Sequence, residues 1–326
     1  MHAVRLHAFG PAENLRHEQV EDPHPGPGQV RIAVEAAGVH YLDTLLRTGL
    51  EGHPAAPAAL PSIPGREVAG TVDALGEGTD HDWLGKRVVA HLGMAPGGYA
   101  ELAVTDATRL HEIPATIDAA EAVAMIGTGR TVMGIVQFTE LGPDDVVIVS
   151  AAAGGIGTLL VQYAKNAGAT VIALAGGPTK AARALTNGAD LALDYRRPEW
   201  VEQARDHLGD SRATVVFDAV GGDIARHAVD LLGKGGRHLV YGGFGDDVTF
   251  TADEQIERGI TSETVVGPAM IEKAGGNIRS LEERSLKEAA TGRLRPAVQR
   301  FPLADAAGAH RALETRGTVG KVVLVP

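Results

Sequence analysis

The first part of the chain consists of short apolar runs separated by turn residues. Such runs are Val30–Val34, Val68–Val72, Arg87–Ala90 and Tyr99–Val104. Glycine and proline are dense between them, which favours turns and extended connections over long helices. Residues up to about 119 are therefore predicted to form a compact β-rich domain.

The pattern changes after Pro114. Apolar positions recur at helical spacing over Asp118–Leu141, with Asp118 as the expected N-cap and Gly142-Pro143 as the stop. Strand-like runs then alternate with amphipathic stretches, which predicts βαβ units and a parallel sheet. The predicted strands are Val146–Val149, Thr170–Ala175, Leu191–Asp194, Thr214–Asp218 and His238–Tyr241, and the predicted helices are Thr158–Asn166, Thr179–Thr186 and Glu199–Leu208.

Beyond Gly267 the pattern is mixed again, with a helix predicted at Ile278–Ala290 and a final strand at Lys321–Val325. We expect this last part to rejoin the β-rich domain. The predicted domains are residues 1–121, 122–265 and 266–326. The predicted class is α/β, with a doubly wound sheet inserted into a β-rich domain.

Composition narrows the range of functions. The chain has 326 residues, 44% of them apolar, which is enough for two cores. A formal charge of −11 and only 13 aromatic residues argue against a nucleic-acid partner. The absence of cysteine excludes disulfides, thiolate zinc sites and iron–sulfur clusters.

One uncharged stretch is long enough to cross a bilayer. Val146–Ala164 has 19 residues without a charge, but glycines interrupt it. We interpret it as a strand, a turn and a helix, and expect no membrane partner. The N-terminal segment carries no apolar run of the secretory kind, so the cytoplasm is the expected compartment.

The turn inside that stretch is the strongest motif. Ser150–Gly157 lies between a predicted strand and a predicted helix, where small residues let a backbone approach a pyrophosphate and the helix N-terminus supplies N–H donors. Alanine stands at the first of the three glycine positions of the dinucleotide fingerprint, in place of the usual glycine. The expected cofactor-binding residues of the turn are Ala152, Gly154, Gly155, Ile156 and Gly157.

The end of the second predicted strand discriminates between cofactors. NAD enzymes place an acidic residue there for the ribose 2′-hydroxyl, whereas this chain has Gly176 and Gly177. Thr179, Lys180 and Arg183 follow, and cations suit a 2′-phosphate. The sequence therefore favours NADPH over NADH.

Seven motifs in this order resemble the zinc-free quinone oxidoreductase, or zeta-crystallin-like, branch of the medium-chain dehydrogenase/reductase superfamily. The resemblance covers essentially the whole chain. It implies a GroES-like domain with an inserted Rossmann domain and an active site in the cleft between them. The motifs are Gly38–Gly49, Pro64–Gly70, Gly85–Val88, Gly97–Glu101, Ala151–Gly157, Phe217–Gly222 and Gly235–Arg237.

The resemblance also implies further cofactor contacts. In the family, a lysine, a tyrosine and an arginine hold the 2′-phosphate, and these fall on Lys180, Tyr195 and Arg316. Thr131 is expected to bond the carboxamide or the substrate oxygen. Glycines at the sheet's carboxyl edge are expected to approach the cofactor, and Asp218 to fix a turn there; these glycines are Gly176, Gly221, Gly222, Gly242 and Gly243.

The positions that match the family's catalytic zinc ligands are His40, Arg66 and Thr128. Of these, only His40 can bind zinc, and a permanently charged Arg66 repels it. Arg66 is either an anion clamp or, as we favour, the partner of Glu67 or Asp43. Metal-free catalysis is therefore expected.

Without a Lewis acid, hydride transfer to a quinone or an α,β-unsaturated carbonyl is the expected reaction, because such acceptors delocalise the new charge. Candidate hydrogen-bond donors for the acceptor are His40, Tyr41 and Thr128. The alternative roles are structural: hydrogen bonds to nearby backbone for His40 and Thr128, and packing for Tyr41. The family's asparagine is replaced by His40, and its tyrosines by Leu45 and Glu51, so no general acid is carried over from the relatives.

Two other functions remain open from sequence. One is an enoyl-thioester reductase, and the other is an NADPH-binding protein without catalysis. The family's dimers extend one Rossmann sheet into another, so a homodimer through the strand near Thr264-Val265-Val266 is also expected.

Overall fold

The computed structural model describes residues 1–57, 59–242 and 248–326. The described chain divides into two compact units. Unit 1 contains residues 1–128 and 296–326, and unit 2 contains residues 129–295. The return to the first unit therefore comes 30 residues later than position 266, where the sequence analysis placed it.

Unit 1 has two sheets among its described residues. Its strands are β1 (His2–Leu6), β2 (Leu15–Gln19), β3 (Gln29–Val39), β4 (Glu67–Leu75), β5 (Arg87–His91), β6 (Leu102–Asp106), β7 (Leu110–Glu112), β14 (Val298–Pro302) and β15 (Lys321–Val325). A seven-stranded sheet has the order β14-β15-β3-β4-β5-β7, with β6 also paired to β3, and a two-stranded sheet consists of β1 and β2. The helices of the unit are α1 (Tyr41–Thr48), α2 (Ala119–Ala124) and α11 (Ala306–Glu314).

The alternation along β3 explains its role in the core. Val30, Ile32 and Val34 are buried while Arg31 and Ala33 are only half-buried, which is the two-residue period of a strand with one covered face. Past Glu35 every residue of the strand is buried. The strand therefore lies at the centre of the unit and pairs with β4, β6 and β15.

The strand predicted at Tyr99–Val104 begins only at Leu102. Tyr99 leaves the ladder because its ring is fully buried and its N–H donates to the Pro64 carbonyl. Its hydroxyl donates to the Asp43 carboxylate over 3.1 Å. A tertiary hydrogen bond has thus overridden the local strand preference.

The helical run predicted after Asp118 is present over Ala119–Phe138. Asp118 caps it as expected, since Oδ1 accepts from the Glu121 N–H and the Glu121 carboxylate accepts from the Asp118 N–H. The run contains a π-helical turn over Met125–Gly129. It is long and apolar enough to cross a membrane, but 83% of its most apolar 18-residue window is buried within the protein, as in a core helix.

Unit 2 is built on a six-stranded, wholly parallel sheet. The strands are β8 (Val146–Val149), β9 (Thr170–Ala175), β10 (Leu191–Asp194), β11 (Ala213–Asp218), β12 (Leu232–Val240) and β13 (Thr261–Thr264). They lie in the order β10-β9-β8-β11-β12-β13, which is the order of a doubly wound dinucleotide-binding sheet. The helices are α3 (Arg130–Ile135), α4 (Gly155–Asn166), α5 (Pro178–Thr186), α6 (Trp200–Leu208), α7 (Gly222–Val229), α8 (Ala252–Arg258), α9 (Pro268–Lys273) and α10 (Ile278–Ala290).

The helix α10 explains why the unit extends to Arg295. It packs against α3, and Arg130 on α3 donates to Glu282 on α10 over 2.9 Å. Both side chains are largely buried. Residues 266–295 therefore belong with the parallel sheet and not, as expected, with the β-rich unit.

Candidate functional site

The glycine-rich turn joins β8 to α4 at the carboxyl edge of the parallel sheet. Ala151 has a left-handed φ of 47° and Ala152 is fully buried. A Cβ on Gly157 would lie 2.8 Å from the Cα of Ala152, so no side chain fits there. Gly154 immediately precedes the first turn of α4, whose N–H groups are the donors that suit a pyrophosphate.

The strands β8 and β11 flank the point where the strand order reverses, and Asp218 joins their ends. Its Oδ1 accepts from the Ser150 hydroxyl at 3.1 Å and from the Val220 and Gly221 N–H groups. Burial raises the pKa of Asp218, but His238 and the two N–H groups outweigh burial and hold it below its usual value. The turn is thus fixed at the edge where ligands of such sheets bind.

Gly242 lies against the same edge. Its N–H is 3.3 Å from the Asp218 carbonyl, and a Cβ would approach the Ala219 carbonyl oxygen to 3.0 Å. Tyr241 beside it donates from its hydroxyl to the Ser150 carbonyl. Gly243, the other glycine predicted here, lies outside the described residues.

The ends of β9 and β10 bring a second set of predicted residues together. The Tyr195 hydroxyl covers Gly176 so closely that a Cβ there would lie 2.7 Å from it. Lys180 lies in the first turn of α5, which begins two residues after Gly176. Sequence reasoning missed Arg196, whose guanidinium covers Gly177 and pairs with Asp194 at 3.2 Å. Its place directly after Tyr195 was the available signal.

Unit 1 holds a buried cluster of charges around Glu67. Glu67 is fully buried; its Oε2 lies 2.8 Å from Lys321 Nζ and its Oε1 lies 2.5 Å from His40 Nε2. Burial raises the pKa of Glu67, but the charges of His40 and Lys321 outweigh burial and hold it well below its usual value. A Cβ on Gly38 or on Gly127 would collide with the carboxylate, so both positions exclude a side chain.

A second cluster in unit 1 surrounds Asp43. Its Oδ2 accepts from the Tyr99 hydroxyl at 3.1 Å and from the His40 N–H at 2.8 Å. Arg66 approaches Oδ1 to 3.8 Å, so the ion pair with Asp43 is the arrangement we favoured from sequence. Burial lowers the pKa of His310, whose Nε2 lies 3.2 Å from the Tyr99 hydroxyl, to about 4.

The remaining predicted residues are distributed over both units. His40 precedes α1 and its side chain is 27% exposed, while the neighbouring Tyr41 is 44% exposed. Thr128 is buried in the π-helical turn, and Thr131 lies on α3 in unit 2. Arg316 is exposed after α11, with a left-handed φ of 53°.

Comparison with known proteins finds a matching family model for each unit. A family model described as an alcohol dehydrogenase GroES-like domain matches residues 26–115, and one described as a zinc-binding dehydrogenase matches residues 155–278. The quinone oxidoreductase of Salmonella typhimurium is 32% identical, with 99% of each chain covered. A 2-haloacrylate reductase of a Burkholderia species is 31% identical, covering 99% of this chain and 98% of the relative.

A solved structure agrees with these relatives. The quinone oxidoreductase of Escherichia coli, complexed with NADPH, matches with a TM-score of 0.85 and 28% identity, and all of each chain is covered. The full-length relatives are named as enzymes, which argues against the non-catalytic alternative. The chain is therefore an oxidoreductase that belongs to the quinone oxidoreductases of the medium-chain dehydrogenase/reductase superfamily.

Proposed function

We propose that this protein is a zinc-independent, NADPH-dependent reductase of quinones or α,β-unsaturated carbonyl compounds. The observation that carries the proposal is the turn at Gly157, where the absence of space for a Cβ lets α4 begin directly against the Ala151-Ala152 backbone, as the third glycine of a dinucleotide-binding turn does. Support for NADPH comes from the Arg196 guanidinium against Gly177, from Lys180 in the first turn of α5, and from the NADPH complex of the E. coli enzyme.

The side chains of unit 1 do not fit a catalytic zinc. At the three matching positions, Arg66 is a permanent cation, Thr128 is a neutral hydroxyl, and Nε2 of His40 lies 2.8 Å from the Lys321 ammonium. Lys321 therefore supplies positive charge beside the one histidine of the set. We derive no step through a metal ion.

Bound NADPH supplies a hydride from its nicotinamide ring. The glycine-rich turn and the N-terminus of α4 bind the pyrophosphate, while Lys180, Tyr195 and Arg316 are proposed to bind the 2′-phosphate. Gly155, Ile156 and Thr131 complete the proposed cofactor contacts.

His40 is the proposed proton donor for the reduced acceptor. Its Nε2 lies 2.5 Å from Oε1 of Glu67 and 2.8 Å from Nζ of Lys321, so the ring is held in place beside the exposed start of α1. Tyr41 and Thr128 are the other proposed hydrogen-bond donors to the acceptor.

The acceptor class extends beyond quinones in this proposal. The Burkholderia relative is named for an acrylate, whose double bond is conjugated to a carbonyl group. Quinones and enones share that conjugation, and both delocalise the charge that hydride addition creates. An enoyl thioester shares it too, so it is included among the acceptors to be tested.

Steady-state NADPH oxidation by chelator-treated protein tests the proposal. The acceptors are 1,4-benzoquinone, a conjugated enone and a crotonyl thioester, with NADH as the parallel cofactor. Turnover that survives chelation and prefers NADPH supports the proposal, and the acceptor ranking separates a quinone reductase from a thioester reductase. Activity that requires added zinc, or that prefers NADH, contradicts it.

A homodimer through β13 forms part of the same proposal. Among the described strands β13 is the outer strand of the parallel sheet, so one of its edges pairs with no other described strand. The edge lies next to the predicted Thr264-Val265-Val266 segment. Light scattering after size exclusion tests it, with proline at Ser262 as the disrupting variant; a monomeric wild type contradicts it.

A further inference from the structure

Arg66 is a buried cation whose hydrogen-bond donors are under-used. Its side chain is only 10% exposed, and its buried Nε makes no hydrogen bond to any residue that the structure describes. Its nearest acidic atom, Oδ1 of Asp43, is 3.8 Å away, which is an ion-pair distance but too long for a hydrogen bond. Buried guanidinium groups are normally hydrogen-bonded, so this geometry points to a missing acceptor.

Asp43 orients Arg66 but does not accept a hydrogen bond from its guanidinium. The Oδ2 atom already accepts from Tyr99 and from the His40 N–H. Gly65, with a φ of 89°, packs so tightly on the Tyr99 ring that a Cβ would lie 2.6 Å from its Cε1. The backbone that carries Arg66 is therefore held in place, and the guanidinium cannot easily move closer to Asp43.

The guanidinium lines a small cavity in unit 1. The cavity measures about 30 Å³, and its wall is largely apolar, with Leu6, Leu46, Ala55, Pro57 and Pro64 among the lining residues. A single water needs about 10–15 Å³ measured in this way, so the space admits a group of carboxylate size but not a quinone ring. The polar side chains of the wall are Asp43, Arg47, Ser62 and Arg66. A largely apolar wall with a few polar groups is typical of a small-ligand subsite.

Arg47, the other arginine of the cavity wall, is already neutralised. It donates to the Gly10 carbonyl at 2.5 Å and forms an ion pair with Glu314. The charge of Glu67 is likewise balanced by Lys321 and His40. Nε of Arg47, like Nε of Arg66, has no hydrogen bond among the described residues, but Arg47 has a carboxylate in direct contact, whereas the carboxylate of Asp43 stays 3.8 Å from Arg66.

We propose that Arg66 binds the carboxylate of the acceptor, and that the preferred acceptor is a short α,β-unsaturated carbonyl compound that also carries a carboxylate. The inference rests on the proposed reductase function and specifies its substrate class. Hydride adds to the carbon β to the reacting carbonyl, a proton adds to the α carbon, and NADPH becomes NADP⁺. The carboxylate takes no part in the reaction and serves to anchor the acceptor.

Two acceptors of equal size separate the effect of the carboxylate charge on kcat/KM from the effect of molecular shape. One is trans-4-oxo-2-pentenoate, and the other is trans-3-hexene-2,5-dione, in which a methyl group replaces the carboxylate oxygen. Wild-type protein should reduce the acid with the higher kcat/KM. In Arg66→Met the acid-to-dione ratio of kcat/KM should fall about 10- to 100-fold, mainly through KM, because a charge-assisted contact is lost. Compared with Arg66→Met, Arg66→Lys should restore part of the ratio, since lysine keeps the positive charge but lacks the paired N–H donors of the guanidinium.

Arg31→Met is the matched control. It removes the same charge from unit 1 at a half-buried pair with Asp73, outside the cavity wall. The acid-to-dione ratio should stay at the wild-type value. A fall equal to that of Arg66→Met would show a general effect of net charge and overturn the proposal.

Binding without turnover separates this inference from the proposed function. Calorimetric titration of wild-type protein with the unreactive acid 4-oxopentanoate should give a Kd at least 10-fold lower than hexane-2,5-dione does. Equal binding of the two, or equal acid-to-dione ratios in wild type and Arg66→Met, overturns the carboxylate site. Preferential binding of the acid without reduction of any acceptor supports the site and refutes the reductase function. Because the titration needs only wild-type protein, it holds even if Arg66→Met fails to fold.

Discussion

The carboxylate of Glu67 is fully buried in contact with the Lys321 ammonium and the His40 ring, so its neutralisation should destabilise unit 1 strongly. Glu67→Gln keeps the size of the side chain but leaves the ammonium of Lys321, itself 5% exposed, without its acidic partner. Breaking one side of a buried ion pair costs about 3–5 kcal/mol, because the remaining charge stays desolvated. For a unit of this size that corresponds to a fall in Tm of about 6–20 °C.

The double variant tests the cause of that loss. Lys321→Met removes the stranded charge and keeps most of the volume, so Glu67→Gln with Lys321→Met should be more stable than Glu67→Gln alone. Thermal unfolding followed by circular dichroism measures all three variants. The control is Glu283→Gln, which disrupts an exposed pair with Arg279 and should cost less than about 0.5 kcal/mol.

Two results would refute the reasoning. One is a Glu67→Gln protein that melts within 2–3 °C of wild type, a shift of about 1 kcal/mol or less. The other is a double variant whose loss equals the sum of the two single losses. Either result would mean that the contacts of Glu67 with Lys321 do not offset the cost of burying both charges.

Three further predictions concern the cofactor turn, the 2′-phosphate and pH. Gly157→Ala should raise the Kd for NADPH at least 10-fold in fluorescence titration, whereas Gly142→Ala, with open space around its Cα, should not change it. Lys180→Ala should raise KM for NADPH about 10-fold more than KM for NADH, and the control Lys165→Ala should change both equally. Burial lowers the pKa of His310 from 6.5 to about 4, so between these values the unfolded state binds a proton that the folded state does not. Stability should therefore fall by about 3 kcal/mol as pH drops from 6.5 to 4, and His310→Gln should remove that dependence in denaturant titrations.

The parallel sheet was well predicted because its signals are local. The predicted bounds of β8, β9 and β10 agree with the structure residue for residue, since apolar runs there end directly at glycines or at polar turns. The strand β12 was predicted to begin at His238, but in the structure it begins at Leu232. The prediction started late because Lys234 and the neighbouring glycines interrupt the apolar pattern before His238. Pairing with β11 compensates for the weak local preference.

The charged clusters of unit 1 were predicted only in part. The pairing of Arg66 with Asp43 followed from their types and the chemistry of nearby opposite charges. Lys321 and His310 reach their partners His40 and Tyr99 across 281 and 211 residues, and nothing in their local sequence indicates those contacts. Lys321 was interpreted only as the first residue of a strand. Such contacts depend on sheet pairing over long separations, which periodicity does not specify.

The placement of β15 inside the sheet affects the order in which the units can fold during synthesis. β15 pairs with β3 on one side and with β14 on the other, although it follows the whole of unit 2 in the chain. At a translation rate of about 5–20 residues per second, β15 is synthesised roughly 15–55 s after β3. Unit 2 is contiguous and has all its strands earlier. During that interval the nascent protein carries a complete nucleotide-binding sheet beside an unfinished β-sheet, which makes unit 1 the part that chaperones are expected to protect.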